Sequence, residues 1–290
     1  PEIEAALGRV LDTNGFILGG EVAELECELA GYCGTKYAIG CASGSDAILL
    51  ALMALDVGPG DEVITTPYSF FATVSAITRL GATAVFVDID PVTYNLDVKQ
   101  VEARITAQTK AIEPVHLYGQ CADMAALREI SDRHGIPLVE DAAQAIGAEE
   151  DGVRAGAMGA IGAFSFYPSK NLGGMGDGGF ITTNDDALAK KLLALRVHGS
   201  EVEYYHKYVG LNSRLDGFQG AVLRVKLPHL DRWTDMRRAN AERYRQLFTD
   251  AGLTEQVTLP VERPSAKHIY NQYVIRTAGR RDELRQYLTE

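Results

Sequence analysis

Three chemically active side chains lie within one stretch of the chain, from Leu138 to Gly179. Asp141 ends a short apolar segment, and Ser165 and Lys170 lie on the next apolar segment and its exit, before a glycine-rich turn. A carboxylate can pair with a cationic ring nitrogen, a hydroxyl can donate to a phosphate, and an amine can add to a carbonyl carbon. Together these groups are what a pyridine-ring aldehyde cofactor needs.

Each of these residues alone has an ordinary structural explanation. An aspartate at a strand end more often caps the segment that follows it. Any one of the 28 lysines and arginines is usually a solvated surface charge. The amine of Lys170 becomes a better nucleophile only if burial lowers its pKa. The prediction therefore depends on the ordered set of residues rather than on any single member.

Two further segments follow predicted strands. Ser43–Asp46 opens a predicted helix, where Gly44 lets the backbone approach closely and the free amides of the first turn suit a phosphate. An ordinary helix cap is the alternative interpretation. Thr66–Phe71, after the next strand, places aromatic rings at the same edge, where they pack in the core or stack on a ligand.

Apolar segments rich in β-branched residues alternate with amphipathic segments, which is typical of βαβ units. This predicts an α/β fold with a mostly parallel central sheet sandwiched by helices. Ligands bind at the carboxyl ends of the strands in such a sheet, which is where the candidate residues lie. The predicted strands are 37–42, 62–66, 83–88, 110–117, 136–140, 163–167 and 179–183, and the predicted helices are 2–11, 45–55, 70–80, 96–105, 124–134 and 187–197.

The second half of the chain has a different pattern. From residue 160 the strands lack long helices between them, which predicts the far edge of the same sheet. A long helix from about 217 to 248, interrupted at Pro228, then leads out of the first domain, and 270–277 begins new strand material. We therefore predict a large domain over residues 1–235 and a smaller C-terminal α/β domain over residues 236–290, which we expect to be incomplete.

Composition argues against several classes of partner. The net charge of −11 and the pI near 5.1 disfavour nucleic acid and anionic membrane surfaces as partners. The longest apolar run, 47–55, is far shorter than the roughly 20 residues that span a bilayer. The cysteines form no CxxC pair and predict neither a zinc site nor disulfides, so we expect reduced thiols in a cytoplasmic protein. They are Cys27, Cys33, Cys41 and Cys121.

The ordered motifs resemble the DegT/DnrJ/EryC1/StrS family of sugar aminotransferases, which have the fold type I of aspartate aminotransferase. The resemblance covers nearly the whole chain. Glu113 and Gly20 depart from it, because the family usually has an apolar residue and a proline there, and family members extend beyond both ends of this chain. The resemblance rests on segments 15–19, 43–47, 58–64, 114–119, 140–145, 164–170 and 210–216.

The resemblance implies pyridoxal 5'-phosphate as the cofactor and gives each residue around its ring a role. Lys170 would hold the cofactor covalently and, once released, shuttle a proton. Asp141 would pair with the pyridinium nitrogen, so that the ring can accept electrons. Phe70 would stack on one face of the ring, and Gln144 would lie on or beside the other.

The resemblance also implies how the phosphate is bound. Ser165 would bind it together with the amides of Gly44 and Ser45. Asn212 would reach the phosphate of the neighbouring subunit, so we expect a homodimer with shared active sites.

The implied reaction moves an amino group from L-glutamate, through pyridoxamine 5'-phosphate, to a nucleotide-linked keto-sugar in amino-sugar biosynthesis. The stretch 212–228 is more similar to members that aminate C3 of dTDP- or UDP-linked sugars than to C4 enzymes. A dehydratase-like relative is one alternative, but such proteins have histidine in place of Lys170. A non-enzymatic regulator is another, and the acidic charge disfavours direct DNA binding. The GxGxxG match at 174–179 leads into a predicted strand rather than a helix, which argues against a nicotinamide enzyme.

Overall fold

Helices and strands alternate along the chain in the computed structural model, which describes residues 1–202 and 204–290. None of the described helices has both the length and the apolar character needed to cross a bilayer. The helices are α1 (Glu2–Thr13), α2 (Gly20–Cys33), α3 (Gly44–Ala54), α4 (Phe71–Arg79), α5 (Met124–His134), α6 (Asp186–Leu195), α7 (Gly217–Lys226), α8 (Leu230–Asp250) and α9 (Arg281–Thr289). The strands are β1 (Tyr37–Cys41), β2 (Glu62–Thr65), β3 (Thr83–Phe86), β4 (Thr109–Ile112), β5 (Val139–Asp141), β6 (Glu149–Glu150), β7 (Val153–Arg154), β8 (Ile161–Ser165), β9 (Gly179–Thr183), β10 (Ser200–Val202), β11 (Tyr205–His206), β12 (Val257–Thr258), β13 (Ala266–Lys267) and β14 (Arg276–Thr277).

Seven of these strands lie side by side in the order β3, β2, β4, β5, β8, β9, β1. β2 is parallel to β3 and to β4, and β5 is parallel to β8. Parallel bridges from Ile112 to Leu138 and from Val115 to Asp141 join β4 to β5. Within this group β9 is antiparallel to both of its neighbours. The predicted α/β fold with a mostly parallel sheet is confirmed.

Alternate strand residues face two separate hydrophobic cores. On β4, Ala111 belongs to one core and Ile112 to the other, and Val139 and Leu138 divide in the same way on β5. Residues of α3, α4 and α6 complete the first core, and residues of α2, α5 and α7 complete the second. Helices therefore cover both faces of the sheet, as the sequence predicts.

The prediction that the strands after residue 160 form the far edge of the sheet is wrong. β8 and β9 lie inside the sheet, whereas β1 and β3 form its edges. The reason is that β1 pairs along its full length with β9, from Tyr37 opposite Thr183 to Cys41 opposite Gly179. A pairing between segments so far apart in sequence leaves no local pattern.

The predicted helix over 96–105 is also wrong as an α-helix. Two 3-10 turns, Val98–Gln100 and Glu102–Arg104, occupy this segment instead. The side chain of Asp97 accepts a hydrogen bond from the amide of Lys99, which closes a tight turn. The connection from β3 to β4 therefore lacks a crossover α-helix, whereas α4 joins β2 to β3 and α5 joins β4 to β5.

The C-terminal quarter agrees with the prediction in part: the helix breaks where expected, but of the strand material predicted over 270–277 only β14, Arg276–Thr277, is a strand. α7 and α8 are separated by the 3-10 turn Leu227–His229, so the break falls at Pro228 as predicted. Further on, Ile269 is fully buried in the second core, and its amide donates to the carbonyl of Gly119 at 2.9 Å. The domain boundary at residue 235 falls inside α8 and stays a prediction.

Glu140 anchors the carboxyl end of β5, where Asp141 also lies. Its fully buried carboxylate accepts hydrogen bonds from the Nε2 atom of His116, at 2.9 Å, and from three backbone amides. The Nδ1 atom of His116 accepts from the amide of Ala122 at 3.1 Å, which leaves the ring proton on Nε2. The three amide donors are Gly156, Met158 and Gly159, at 2.6 to 2.9 Å.

We expect Glu140→Ala to lower the free energy of unfolding by roughly 3–5 kcal/mol, because four buried donors lose their acceptor. Glu129→Ala is the matched control, since Glu129 is exposed on α5. Urea unfolding followed by circular dichroism measures both variants. Equal stability of the two variants would contradict the anchoring role.

Candidate active site

A cavity of about 540 Å³ opens at the carboxyl ends of the central strands. Seven of the eight site residues predicted from the sequence line this cavity, although they come from segments more than 120 residues apart. Lys170 and Asp141 are among them, so the amine and the acid face one space. The seven are Gly44, Ser45, Phe70, Asp141, Gln144, Ser165 and Lys170.

The first turn of α3 forms a cradle at one end of the cavity. Ser43 caps the helix, accepting a hydrogen bond from the amide of Asp46 at 3.1 Å. A Cβ atom added to Gly44 would lie 2.6 Å from the Cβ atom of Ser165, so only glycine allows the helix to begin this close to β8. The amides of Gly44 and Ser45 belong to the first turn, where an α-helix supplies no acceptor. These amides and the hydroxyl of Ser165 fit a phosphate.

Asp141 forms the floor of the cavity, with a side chain that is only 4% exposed. The Thr73 hydroxyl donates to its Oδ2 atom at 2.8 Å, and the Ala143 amide donates to its Oδ1 atom at 3.2 Å. Burial raises the pKa of Asp141, while these hydrogen bonds and the charge of Lys170 act against the rise. A cation placed against this carboxylate would therefore be strongly favoured.

Lys170 lies in the turn after β8, held by a hydrogen bond from its amide to the carbonyl of Tyr167 at 2.8 Å. Its side chain is partly buried and lines the cavity. Burial lowers the pKa of Lys170, and the negative charge of Asp141 partly offsets this. A larger fraction of the amine is therefore uncharged and nucleophilic than in an exposed lysine.

Phe70 and Gln144 stand where the cavity opens. Phe70 precedes α4 and is 72% exposed, so its ring is free to cover a ligand. The Oε1 atom of Gln144 accepts from the amide of Tyr118 at 2.7 Å, which orients the amide side chain. Their predicted positions on the two faces of a cofactor ring stay predictions.

Asn212 is the predicted site residue that the structure leaves outside the cavity. Its side chain is exposed, and its backbone forms a bridge with Val197. An exposed position outside the cavity of its own chain is what a residue reaching a neighbouring subunit requires. That role stays a prediction.

Sequence reasoning missed two residues of the site, one that supports Asp141 and one that lines the cavity. Thr73 binds Asp141 and also exchanges a hydrogen bond with Ser69 at 2.8 Å. Thr73 lies in the first turn of α4 and supports Asp141 from outside the cavity lining, and a bond between residues 68 positions apart leaves no local signal in the sequence. Gln272 arrives from the C-terminal quarter, with its amide 3.3 Å from the carbonyl of Tyr118, and no local signal indicated it.

The amino-acid sequence matches one family model and several named proteins. The model of the DegT/DnrJ/EryC1/StrS aminotransferase family matches residues 1–290. A "pleiotropic regulatory protein" of Geobacillus stearothermophilus is 54% identical over 290 residues, which cover all of this chain and 77% of that protein.

Two further relatives are named as enzymes. The dTDP-3-amino-3,4,6-trideoxy-alpha-D-glucose transaminase of Streptomyces venezuelae is 49% identical, covering 99% of this chain and 75% of that protein. The UDP-N-acetyl-3-dehydro-alpha-D-glucosamine 3-aminotransferase of Acidithiobacillus ferrooxidans is 47% identical, covering 96% of this chain and 74% of that protein.

Solved structures match the fold over almost the whole chain. DesV of S. venezuelae, in complex with a ketimine intermediate, superposes with a TM-score of 0.95 at 47% identity, covering 99% of this chain and 76% of that one. NtdA of Bacillus subtilis, with the cofactor PMP bound, superposes with a TM-score of 0.90 at 34% identity, covering 99% and 65%.

We expect Gly44→Ala to raise the dissociation constant for pyridoxal 5'-phosphate about tenfold or more. The added methyl group would collide with Ser165, and overpacking of this kind typically costs about 1–3 kcal/mol. Gly20→Ala is the matched control, because Gly20 is also the first residue of a helix and a Cβ atom there meets nothing within 4 Å. Absorbance titration gives both affinities, and thermal unfolding shows that both variants fold. If both variants bound the cofactor equally well, the cradle would be in the wrong place.

Proposed function

This chain belongs to the DegT/DnrJ/EryC1/StrS family of pyridoxal-phosphate-dependent aminotransferases, and from that premise we propose that it transfers an amino group to a nucleotide-linked keto-sugar. The observation that carries the proposal is the meeting of Lys170 and Asp141 in one cavity beside the cradle of Gly44 and Ser45. An amine, a buried carboxylate and a phosphate site are the three groups that this chemistry needs from a protein.

When bound, the cofactor supplies an aldehyde that binds amines and a cationic ring that withdraws electrons from the carbon being aminated. Asp141 would hold the ring nitrogen in its protonated form, because its buried carboxylate would gain a cationic partner. The amides of Gly44 and Ser45 and the hydroxyl of Ser165 would hold the phosphate. Phe70 would cover a face of the ring and restrict the access of water.

Lys170 performs two tasks with one atom. Its Nζ atom would bind the aldehyde carbon of the cofactor covalently until the amine of a substrate takes its place. Once released, the Nζ atom would take a proton from the carbon that bears the amine and return one to the cofactor carbon, and burial, which lowers the pKa of Lys170, would favour this by increasing the uncharged fraction of the amine. In the two half-reactions this atom would move the proton in opposite directions.

Two relatives support a nucleotide sugar as the acceptor, since one is named for a dTDP-linked and one for a UDP-linked substrate. Both names place the amino group at C3, which agrees with the weaker indication from residues 212–228. We propose amination at C3, with L-glutamate as the donor, in amino-sugar biosynthesis. Nucleotide sugars and four free cysteines support a cytoplasmic location.

A homodimer with shared active sites completes the proposal. Large apolar side chains are exposed beside the cavity, including Phe70 at 72%, Phe71 at 75% and Met175 at 65%. Exposed large apolar side chains favour a protein partner. A second copy would cover them and would bring its own Asn212 to the phosphate cradle.

A regulatory protein is the second candidate, because one relative at 54% identity carries a regulatory name. That name belongs to the relative, and Lys170 and Asp141 in this chain favour a catalytic function over a purely regulatory one. A regulator without chemistry would leave the absorbance of added pyridoxal 5'-phosphate unchanged when L-glutamate is supplied.

We expect Lys170→Ala to lower the rate of amino transfer by at least about 10²–10⁴-fold, because the proton shuttle is lost. Lys190→Ala is the control, since Lys190 is an exposed lysine on α6. The measurement is amino-sugar formation from L-glutamate and a panel of dTDP- and UDP-linked 3-keto and 4-keto sugars, followed by chromatography. Full activity of Lys170→Ala would refute the proposal, and amination of the 4-keto sugars alone would refute the C3 assignment.

Mixing two inactive variants tests the shared site. If Asn212 acts in the neighbouring subunit, a mixed dimer of Lys170→Ala and Asn212→Ala chains contains one intact site. Random exchange of subunits should then restore up to about a quarter of the wild-type activity. Each variant alone is the control, and a mixture that stays inactive would place Asn212 at the site of its own chain.

A further inference from the structure

Glu113 is a buried acid that the proposed mechanism does not use. It follows β4 directly, and its side chain is fully buried. Neither of its carboxyl oxygens has a hydrogen-bond partner within residues 1–202 and 204–290. A buried polar group without a partner costs about 1–3 kcal/mol, so its presence calls for an explanation.

The strand register places Glu113 behind Asp141. The parallel bridges at Ile112 with Leu138 and at Val115 with Asp141 set Glu113 opposite Val139. Side chains alternate between faces, so Glu113 shares the face of Asp141. With about 4.8 Å between strands and about 3.3 Å per residue, the two Cα atoms lie about 8 Å apart. A glutamate side chain can bridge much of that distance.

The backbone around Glu113 fixes this position. Its amide donates to the carbonyl of Ile64 at 2.8 Å, and its carbonyl accepts from the hydroxyl of Thr65 at 2.8 Å. The residues that α3, α4 and α6 contribute to the core on this face are all apolar, among them Ala72, Ala76 and Ile77 of α4. Among the described residues, the charge that acts on Glu113 is that of Asp141.

Two carboxyls that share an apolar space cannot both ionise cheaply, so one of them keeps a proton. The distribution of donors decides which. Asp141 accepts from Thr73 and Ala143 and faces the amine of Lys170, whereas Glu113 accepts from nothing. Burial and the charge of Asp141 raise the pKa of Glu113 well above its ordinary value.

We propose that Glu113 is a positioning residue that acts through Asp141: it holds the single proton of this carboxyl pair and so keeps the negative charge on Asp141, at the floor of the cavity. The inference rests on the proposed role of Asp141 toward the ring nitrogen of the cofactor. A net charge of −1 on the pair is matched by one ring cation.

The proton on Glu113 makes stability depend on pH with a definite sign. A carboxyl group whose pKa is raised by folding makes its full contribution to the free energy of unfolding below its unfolded pKa, which is near 4.5 for glutamate. This contribution is lost as the pH rises toward the folded pKa. The unfolding equilibrium constant of the wild type should therefore increase with pH relative to that of Glu113→Gln, by up to about tenfold per pH unit.

The experiment uses cofactor-free protein from pH 5 to pH 8.5, with unfolding by urea. Glu255→Gln is the matched control, because Glu255 is exposed and carries the same change of side chain. We expect the ratio of wild-type to Glu113→Gln equilibrium constants to rise with pH, while the ratio to Glu255→Gln stays level. A level ratio for Glu113→Gln would overturn the proposal.

Coupling to Asp141 is tested in an Asp141→Asn background. Removing that negative charge lowers the pKa of Glu113. The ratio of unfolding equilibrium constants should therefore stop rising at a lower pH than in the wild-type background. Identical pH ranges in both backgrounds would mean that Glu113 does not act through Asp141. This readout needs no cofactor, so it can fail independently of the proposed aminotransferase activity.

Two further measurements cover the case in which Glu113→Gln folds poorly. Infrared spectra of wild-type protein with isotope-labelled glutamate should show the C=O band of a protonated glutamic acid at pH 7, and an absent band would overturn the proposal. In the folded holoenzyme, Glu113→Gln should bind pyridoxal 5'-phosphate within about twofold of the wild type at pH 7, because glutamine is neutral like the protonated acid. A loss of tenfold or more would show that Glu113 is ionised there.

Discussion

The hydrogen-bonded carboxylate of Asp141 is the group on which the rest of the site depends. Burying a charge costs several kcal/mol unless donors or a counter-ion offset it, and Thr73 and Ala143 offset only part. The backbone of Asp141 is fixed from the segment that follows β4 by two hydrogen bonds, from its amide to the carbonyl of Pro114 and from the amide of His116 to its carbonyl, both 2.9 Å. The carboxylate is therefore held in place before any ligand arrives.

The sequence was sufficient to bring Gly44, Asp141, Ser165 and Lys170 together, because strands that run the same way end at the same edge of a sheet. It could not indicate Thr73 or Gln272. Thr73 bonds to an acid 68 residues away, and Gln272 comes from beyond α8. Contacts of this kind arise from packing and leave no periodic pattern. The position of β9 was missed for the same reason.

The segment Ser43–Asp46 had two competing interpretations, a helix cap and a phosphate cradle, and the structure shows that they are compatible. Ser43 caps the helix by accepting from Asp46, while Gly44 allows the helix to begin against β8. The cap orients the first turn, and the missing side chain leaves its amides open to a ligand. Sequence analysis names the residue types, but only the 2.6 Å approach to Ser165 explains why alanine does not fit.

Three buried carboxyls around the end of β5 differ mainly in how many donors surround them. Glu140 accepts from three amides and a histidine, Asp141 from a hydroxyl and an amide, and Glu113 from no described group. All three are almost completely removed from water, so burial alone cannot explain a difference in charge. Donors stabilise the ionised form, and a neighbouring negative charge opposes it. Because Glu113 has the second influence without the first, the proposed proton on Glu113 leaves the negative charge of the Glu113–Asp141 pair on Asp141, the acid that faces the cavity.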